Sequence, residues 1–412
     1  MPQNLSAEAT ASDPLALVGV TWAQIDLDAI AHNVRGIKAH IGPEVAIIAV
    51  VKADAYGHGA IPVARVALES GATWLAVHRL AEGIQLRQAG IAAPILVMGH
   101  TLPAEAGRVV QWDVIPTVNE RSLAEALAAA ADRVGKRLAV HVKIDSGMGR
   151  WGQLPHEAAS FCEWLHTLRP LELEGVYTHF AVADEASESA QAYTRRQLEI
   201  YLEVLHTLAA RGIDVPLRHA ANSAATLTLP DAHLDAVRPG IALCGMSPSA
   251  DVNSPFPLKP AMTLKSRVVR LRTLPPGSSV GYGRTFVTQA ATRVALVAVG
   301  YGDGYQRCLS NRSLALVRGQ RAPVRGRISM DQTVIDVSHI PEVELGDEVV
   351  FFGQQNGPWG EAAISAAEVA NWAETLNYEV TTRLAPRVTR VYLRHGQLQA
   401  IHCLDGSVSA GE

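Results

Sequence analysis

Val45-Ala46-Ile47-Ile48-Ala49-Val50-Val51-Lys52-Ala53-Asp54-Ala55-Tyr56-Gly57-His58-Gly59 is an apolar run that ends on a single amine and passes at once into a polar, glycine-punctuated segment. The run reads as a buried strand that delivers one lysine to a site. A lysine after a strand is commonly a solvated turn residue, but a desolvated lysine is also how a protein presents a reactive amine.

The same texture recurs from about Thr21 to Leu243. Short apolar runs at Ala46 to Val51, Trp74 to Val77, Ile95 to Met98, Val114 to Val118, Leu138 to Ile144, Leu173 to Tyr177 and Leu217 to His219 alternate with segments of helical period, such as Glu120 to Val134 and Gln191 to Arg211. Strand-helix alternation implies parallel pairing, which either a closed barrel or an open doubly wound sheet satisfies. Lys52, Arg150, His179, Ser223 and Arg238 each follow an apolar run. Several strands would then point their C-terminal ends at one face, where barrel enzymes keep their chemistry. No G-x-G-x-x-G follows the first strand, which weakens a dinucleotide-binding reading. The expected fold is α/β, an eight-stranded parallel (TIM-like) barrel.

Near Asp251 to Pro260 the pattern changes. Asn253-Ser254-Pro255-Phe256-Pro257 reads as a linker, and Met262 to Leu271, Arg293 to Val299, Ser313 to Val317, Thr333 to Val337 and Glu348 to Phe352 read as strands between glycine turns. Ser365-Ala366-Ala367-Glu368 is a capping box that opens one helix, Val369 to Leu376. The expected domains are an N-terminal extension over 1–18, the barrel over 19–255 and a mainly β C-terminal domain over 256–412.

A chain of 412 residues with net charge −4 and no Lys/Arg block suggests neither nucleic acid nor an anionic membrane as partner, and leaves a small molecule. Cys162, Cys244, Cys308 and Cys403 are scattered without metal-ligand spacing, so no metal site is expected and a reducing, cytoplasmic compartment fits. The stretch from Met1 to Asp13 lacks the basic start and apolar core of a secretory leader, and no apolar run approaches membrane-spanning length.

Ala49-Val50-Val51-Lys52-Ala53-Asp54-Ala55-Tyr56-Gly57-His58-Gly59 closely resembles the cofactor-lysine motif of the alanine racemases, which bind pyridoxal 5'-phosphate (PLP) on an α/β barrel. Further motifs carry the likeness: Lys143-Ile144-Asp145-Ser146-Gly147-Met148-Gly149-Arg150, Thr178-His179-Phe180-Ala181, Ala221-Asn222-Ser223-Ala224-Ala225, Val237-Arg238-Pro239-Gly240-Ile241, Val280-Gly281-Tyr282-Gly283-Arg284-Thr285, Ser329-Met330-Asp331-Gln332 and Asn377-Tyr378-Glu379-Val380. The likeness runs from about Thr21 through Tyr392. Departures are mild: Ser146 where threonine is usual, Ser329 where many relatives have cysteine, and Thr389 where many have proline.

What the resemblance implies is a two-base interconversion of L- and D-alanine that supplies D-alanine for peptidoglycan. Lys52 would hold the cofactor's aldehyde and act as base on one face of the α carbon, with Tyr282 acting on the other. A phenol titrates near ~10, so Tyr282 needs help from neighbouring groups, and the family assigns it to His179 and, beyond it, Arg238. Arg238 would face the pyridine nitrogen. An arginine there keeps the nitrogen unprotonated, which favours reprotonation over transamination or decarboxylation. Tyr56, Ser223, Gly240, Ile241 and Tyr378 are the implied phosphate contacts, although Asn222-Ser223 reads equally as a helix cap. Arg150 and the Met330 amide would meet the substrate carboxylate, with Asp331 near the entrance. Lys143 matches a position carbamylated in some relatives, and reads equally as a simple strand-end lysine.

The family also implies a head-to-tail homodimer in which Lys52 and Tyr282 of one site come from different chains. Two other classes share the barrel: PLP-dependent decarboxylases, which present a glutamate where Arg238 stands, and non-catalytic PLP-binding proteins, which lack the region after Pro260.

Overall fold

In the computed structural model, which describes residues 18–404 and 406–409, the chain opens with β1 (Thr21–Asp26) and α1 (Leu27–Ile41). It continues through β2 (Ala46–Val50), a single turn α2 (Lys52–Tyr56), α3 (Ala60–Glu69), β3 (Trp74–Val77), α4 (Leu80–Gln88), β4 (Ile95–Val97), α5 (Ala106–Trp112) and β5 (Ile115–Pro116). Next come α6 (Arg121–Asp132), β6 (Leu138–Lys143), α7 (Pro155–His166), β7 (Leu171–Tyr177), α8 (Glu188–Ala210), β8 (Leu217–His219), α9 (Ser223–Thr228) and β9 (Ala236–Val237).

The eight strands β2 to β9 pair in parallel in the order β5-β4-β3-β2-β9-β8-β7-β6. A parallel bridge between Thr117 and His141 joins the two ends, with the Val118 N–H donating to the His141 carbonyl at 2.8 Å, so the sheet closes into the expected barrel. Helices cover it by ordinary amphipathic logic. In α6, Leu123, Ala124, Leu127, Ala128 and Ala131 recur at three- and four-residue spacing and are buried. The strand interiors Ile47, Ile48, Leu75, Leu96, Val140 and Val142 have no solvent exposure.

Two compact units emerge among the described residues: 27–261, and 18–26 together with 262–409. The first unit holds the barrel. Its tail, which the sequence reads as a linker, is pinned down: buried Asn33 of α1 accepts from the Lys259 N–H at 2.8 Å and donates to the Lys259 carbonyl at 2.9 Å. The Phe256 ring lies over Gly36, where an added Cβ would come within 2.3 Å of it.

The second unit is mainly β. It contains β10 (Met262–Leu274), β11 (Ser279–Val280), β12 (Phe286–Val287), β13 (Thr292–Val297), β14 (Leu314–Val317), β15 (Gln320–Pro323), β16 (Thr333–Asp336), β17 (Glu348–Gly357) and β18 (Gly360–Ile364). After these stand α10 (Ala366–Ala373), α11 (Asn377–Thr382), β19 (Thr389–Arg394), β20 (Gln397–Cys403) and β21 (Gly406–Ser409). The long β10 serves two neighbourhoods. Its first half lies between β1 and β17, and after a register shift between Val268 and Arg270 its second half pairs with β13.

Two differences from the sequence reading concern strands. Thr21–Asp26, which a barrel starting at 19 would include, pairs antiparallel with β10 and parallel with β19. Its partners lie more than two hundred residues away, beyond the reach of local pattern, and Trp22 packs with Val18, Val391 and Ile401. The eighth barrel strand is Ala236–Val237, too short to announce itself as a run. The capping box at Ser365 forms as expected, with Ser365 Oγ accepting from Glu368 N at 3.0 Å and Glu368 Oε2 from Ser365 N at 3.1 Å. That helix stops at Ala373, because Glu374 turns left-handed, and a second helix, α11, begins beside Tyr378. Among the described residues no helix is long and apolar enough to cross a membrane, and no cluster of potential metal ligands occurs.

Candidate active site

The C-terminal ends of the barrel strands gather most of the chemistry-bearing residues of the first unit. β2 ends at Val50, whose N–H donates to the Pro239 carbonyl at 2.9 Å, while the Val51 N–H donates to the Ala76 carbonyl at 2.8 Å. Lys52 therefore leaves the barrel between the ends of β9 and β3. The backbone behind it is unusual: Ala53, Asp54, Ala55 and Tyr56 all have φ between 51° and 55°. A left-handed turn of non-glycine residues costs roughly 1–2 kcal/mol per residue, so it persists only where surroundings enforce it. Inside the turn the Gly57 and Gly59 amides donate to the Ala53 and Asp54 carbonyls at 3.0 and 2.8 Å, and Asp54 Oδ1 accepts from Ala60 N at 2.7 Å. Burial, then the Arg150 charge, lower the proton affinity of Lys52, with Glu82 opposing them. His78, at the end of β3, is depressed by burial and by Lys52.

Arg238 follows β9 and is buried to 3% exposure. Its guanidinium donates to the Thr178 and Ala220 carbonyls at 2.6 and 3.0 Å and meets His219 Nδ1 at 2.8 Å. Because arginine only donates, His219 Nδ1 must accept, which leaves its proton on Nε2, 3.0 Å from His141 Nδ1. Both imidazoles are thus neutral. Burial and the Arg238 charge push His219 well below its usual range and His141 down to about 3. Tyr177 completes the layer, stacked on His219 with ring centroids 4.9 Å apart and with the Arg238 guanidinium carbon 5.1 Å from its own ring centre. Burial also lowers Arg238, to about 10, so it stays cationic at neutral pH.

His179 follows β7. Buried Gln197 of α8 fixes its segment, donating to the His179 carbonyl at 3.2 Å and accepting from the Ala181 N–H at 2.9 Å. Desolvation first, then Arg238, Arg150, Lys52 and Lys143, hold His179 well below its ordinary range. The imidazole hydrogen-bonded to Arg238 is His219, which the sequence motifs do not single out. Its only sequence signal is a histidine at the end of a strand next to the arginine's strand.

After β6, Asp145 organises the glycine-rich loop. Its Oδ1 accepts from the Gly147 and Gly149 amides at 3.1 and 2.9 Å, and its Oδ2 from the Arg150 amide at 2.9 Å. Those bonds hold the Asp145 carboxyl below its usual range against desolvation. Arg150 is presented exposed at the end of this loop. Lys143 is buried beneath, its Nζ donating to the Trp151 carbonyl and its backbone N–H to Asn119 Oδ1 at 3.1 Å. Burial lowers Lys143 to about 8, Asp145 opposing and Arg150 and Arg238 assisting.

Ser223 opens α9, capped by Asn222, whose Oδ1 accepts from Ala225 N at 3.0 Å. Cap and site share the segment: Ser223 Oγ accepts from the Gly240 amide at 2.8 Å, and Ile241 opens the following 3-10 turn, where amides lack partners within the turn. A Cβ on Gly240 would sit 2.1 Å from Tyr56 Oη. Tyr56, Ser223, Gly240 and Ile241 thus form one cradle of hydroxyls and amides suited to a small dianion. With Lys52 and the buried Arg238, the donor set fits a phosphorylated aromatic aldehyde.

The remaining candidates belong to the second unit. Tyr282 stands on the β11–β12 connection between Gly281 and Gly283, both at positive φ, and is 70% exposed. Met330 is 52% exposed, and its carbonyl accepts from the Gly302 amide at 2.8 Å. Asp331 pairs with Arg387 at 2.8 Å, which also holds Asp303 at 2.7 Å. Tyr378 is half-buried in the first turn of α11.

Comparison with known proteins accords with this arrangement. The family profile described as alanine racemase, N-terminal domain, matches residues 25–248, and that described as alanine racemase, C-terminal domain, matches 261–392. Among curated relatives, the alanine racemase of Halothermothrix orenii is 45% identical over 90% of this chain and 96% of its own length. That of Desulfosudis oleivorans is 47% identical with the same coverage. Among solved structures, the Bacillus anthracis alanine racemase with bound L-Ala-P superposes with a TM-score of 0.85 at 41% identity, covering 94% of this chain and 97% of that one. The Clostridium difficile 630 alanine racemase does so with a TM-score of 0.88 at 37% identity, covering 93% and 98%. The chain belongs to the alanine racemase family, a family of isomerases.

Proposed function

We propose that this enzyme interconverts L- and D-alanine in the cytoplasm, with PLP held at the mouth of the barrel, and so supplies D-alanine for peptidoglycan. When bound, that cofactor supplies an aldehyde for covalent attachment of an amine and a ring that delocalises the electron pair left at the α carbon. The chain's residues do the rest. Lys52 holds the aldehyde at rest through Nζ, which its partly desolvated setting keeps readily deprotonated, and then takes or returns a proton on one face of the α carbon. Tyr282 of the partner subunit serves the opposite face through Oη, with His179 as its link toward Arg238. Tyr56, Ser223, the Gly240 and Ile241 amides and Tyr378 bind the phosphate. Arg150 and the partner's Met330 amide orient the substrate carboxylate, and the partner's Asp331 stands near the entrance. Lys143, with its lowered proton affinity, is suited to carbamylation and to steadying Arg150.

The observation that carries the reading is Arg238. A guanidinium buried with two carbonyl acceptors and a neutral His219 leaves no acid in its hydrogen-bond set to protonate a pyridine nitrogen beside it. Electron withdrawal into the ring is thereby limited, which favours prompt reprotonation and disfavours decarboxylation or transamination.

Chiral analysis of products from L-alanine and from D-alanine tests the reaction. Both enantiomers should approach equal amounts without pyruvate or carbon dioxide, and a single-product outcome of either kind refutes racemisation. Borohydride treatment followed by peptide mapping tests the attachment, because the cofactor should be fixed to the peptide containing Lys52. Recovery on Lys143 instead would remove Lys52 from its assigned role.

A further inference from the structure

Glu82 sits in the first turn of α4, where an acidic side chain ordinarily folds back to one amide at the start of its own helix. Here the carboxylate does more. Its Oε2 accepts from the His78 and Arg79 amides, both at 2.8 Å, and its Oε1 reaches the Ala53 amide at 2.7 Å. One side chain therefore ties the segment leaving β2 to the segment leaving β3. Ala53 is the residue after Lys52 and the first of the four consecutive residues at positive φ. The bonds from Gly57, Gly59 and Ala60 lie within the segment itself and would travel with it. Glu82 anchors it from the neighbouring repeat of the barrel.

We propose that Glu82 is the positioning residue for Lys52, its carboxylate clamping the left-handed turn that begins at Ala53 to the segment after β3 so that Nζ is held at the barrel mouth. The clamp itself needs only the backbone geometry, whereas its consequence for catalysis rests on the role proposed for Lys52. Glu82 is also the negative charge that counters Arg150 in the field at Lys52, among neighbours that include His78 and His179. Removing it should make Nζ lose its proton more readily.

Hydrogen exchange of the full-length protein, and competitive acetylation of the same full-length protein after hydroxylamine has freed the Lys52 amine, both resolved by peptide, test the proposal. In Glu82→Gln, whose amide turns an N–H toward amides that now find a carboxylate, exchange in the peptide covering residues 53–59 should rise by about tenfold or more, with α6 and α8 unchanged. Acetylation of Lys52 should shift to lower pH. Glu82→Asp keeps the charge but is too short to span both segments, so it should lose the protection while keeping the acetylation profile closer to wild type. Adding Ala53→Gly to Glu82→Gln relieves the left-handed strain without restoring charge, so protection should return and the acetylation shift should persist.

Faster exchange confined to the start of α4 would reduce Glu82 to an ordinary cap and overturn the proposal. So would failure of glycine to restore protection. Should Glu82→Gln not fold, Glu82→Asp and the double variant probe the same contact, and unchanged exchange over residues 53–59 in Glu82→Asp would overturn the clamp. Loss of the borohydride label from Lys52 in wild type, with the exchange results as expected, would refute the catalytic reading and leave the clamp standing.

Discussion

A guanidinium buried as deeply as that of Arg238 needs acceptors throughout, and the residues around it are neutral for that reason: carbonyls of Thr178 and Ala220, and an imidazole lone pair. The cost appears in acid. His141, held at about 3 against an ordinary 6.5, refuses a proton that the unfolded chain accepts. Its contribution to stability is therefore complete above pH ~6.5 and is lost as pH falls toward the folded value, at up to about 1.4 kcal/mol per pH unit. Denaturant unfolding at pH 7 and pH 5 should show a gap that shrinks by roughly 2 kcal/mol in His141→Gln, whose amide does not titrate. An unchanged gap would mean that His141 is not a buried neutral base. Arg238 itself is legible, because Val237-Arg238-Pro239-Gly240-Ile241 is a recognisable string. His219 and His141 are not, since each is one imidazole on a strand whose importance comes from a neighbour strand, not from its own sequence.

At the level of elements, legibility follows length and punctuation. Runs such as Leu138 to Ile144 and the capping box at Ser365 declare themselves, and the long α8 falls where its periodicity puts it. The two-residue β9 and the displaced β1 do not, because their partners decide them. The left-handed turn after Lys52 is also hidden, since Ala53, Asp54 and Ala55 lack the glycine that usually signals positive φ. By contrast, the meeting of the Ser223 and Gly240 segments follows from adjacent barrel strands once the fold closes. Gly240 allows the approach of Tyr56, and a Cβ there would collide with Oη at 2.1 Å. Gly240→Ala should thus weaken PLP retention by about tenfold or more, read from an absorbance titration, while circular dichroism stays that of wild type. Undiminished retention would show that the cradle lies elsewhere.

For the whole molecule, Lys52 and Tyr282 lie in different compact units of the chain, and Tyr282 projects 70% exposed from a glycine-flanked turn. A phenol that open, in the role proposed for Tyr282, is suited to completing a site on a second copy of the chain. If the two bases come from different subunits, then Lys52→Ala and Tyr282→Ala are each inactive for different reasons. Mixing them under conditions of subunit exchange should regenerate heterodimers with one intact site, and about a quarter of wild-type activity at equal, random mixing. Tyr282→Ala alone should retain the borohydride label on Lys52 and wash deuterium from solvent into one enantiomer of alanine much faster than into the other, because only the lysine face still exchanges. Mixed dimers identified by mass that recover no racemisation would place Tyr282 in the site of its own chain, or outside the chemistry altogether.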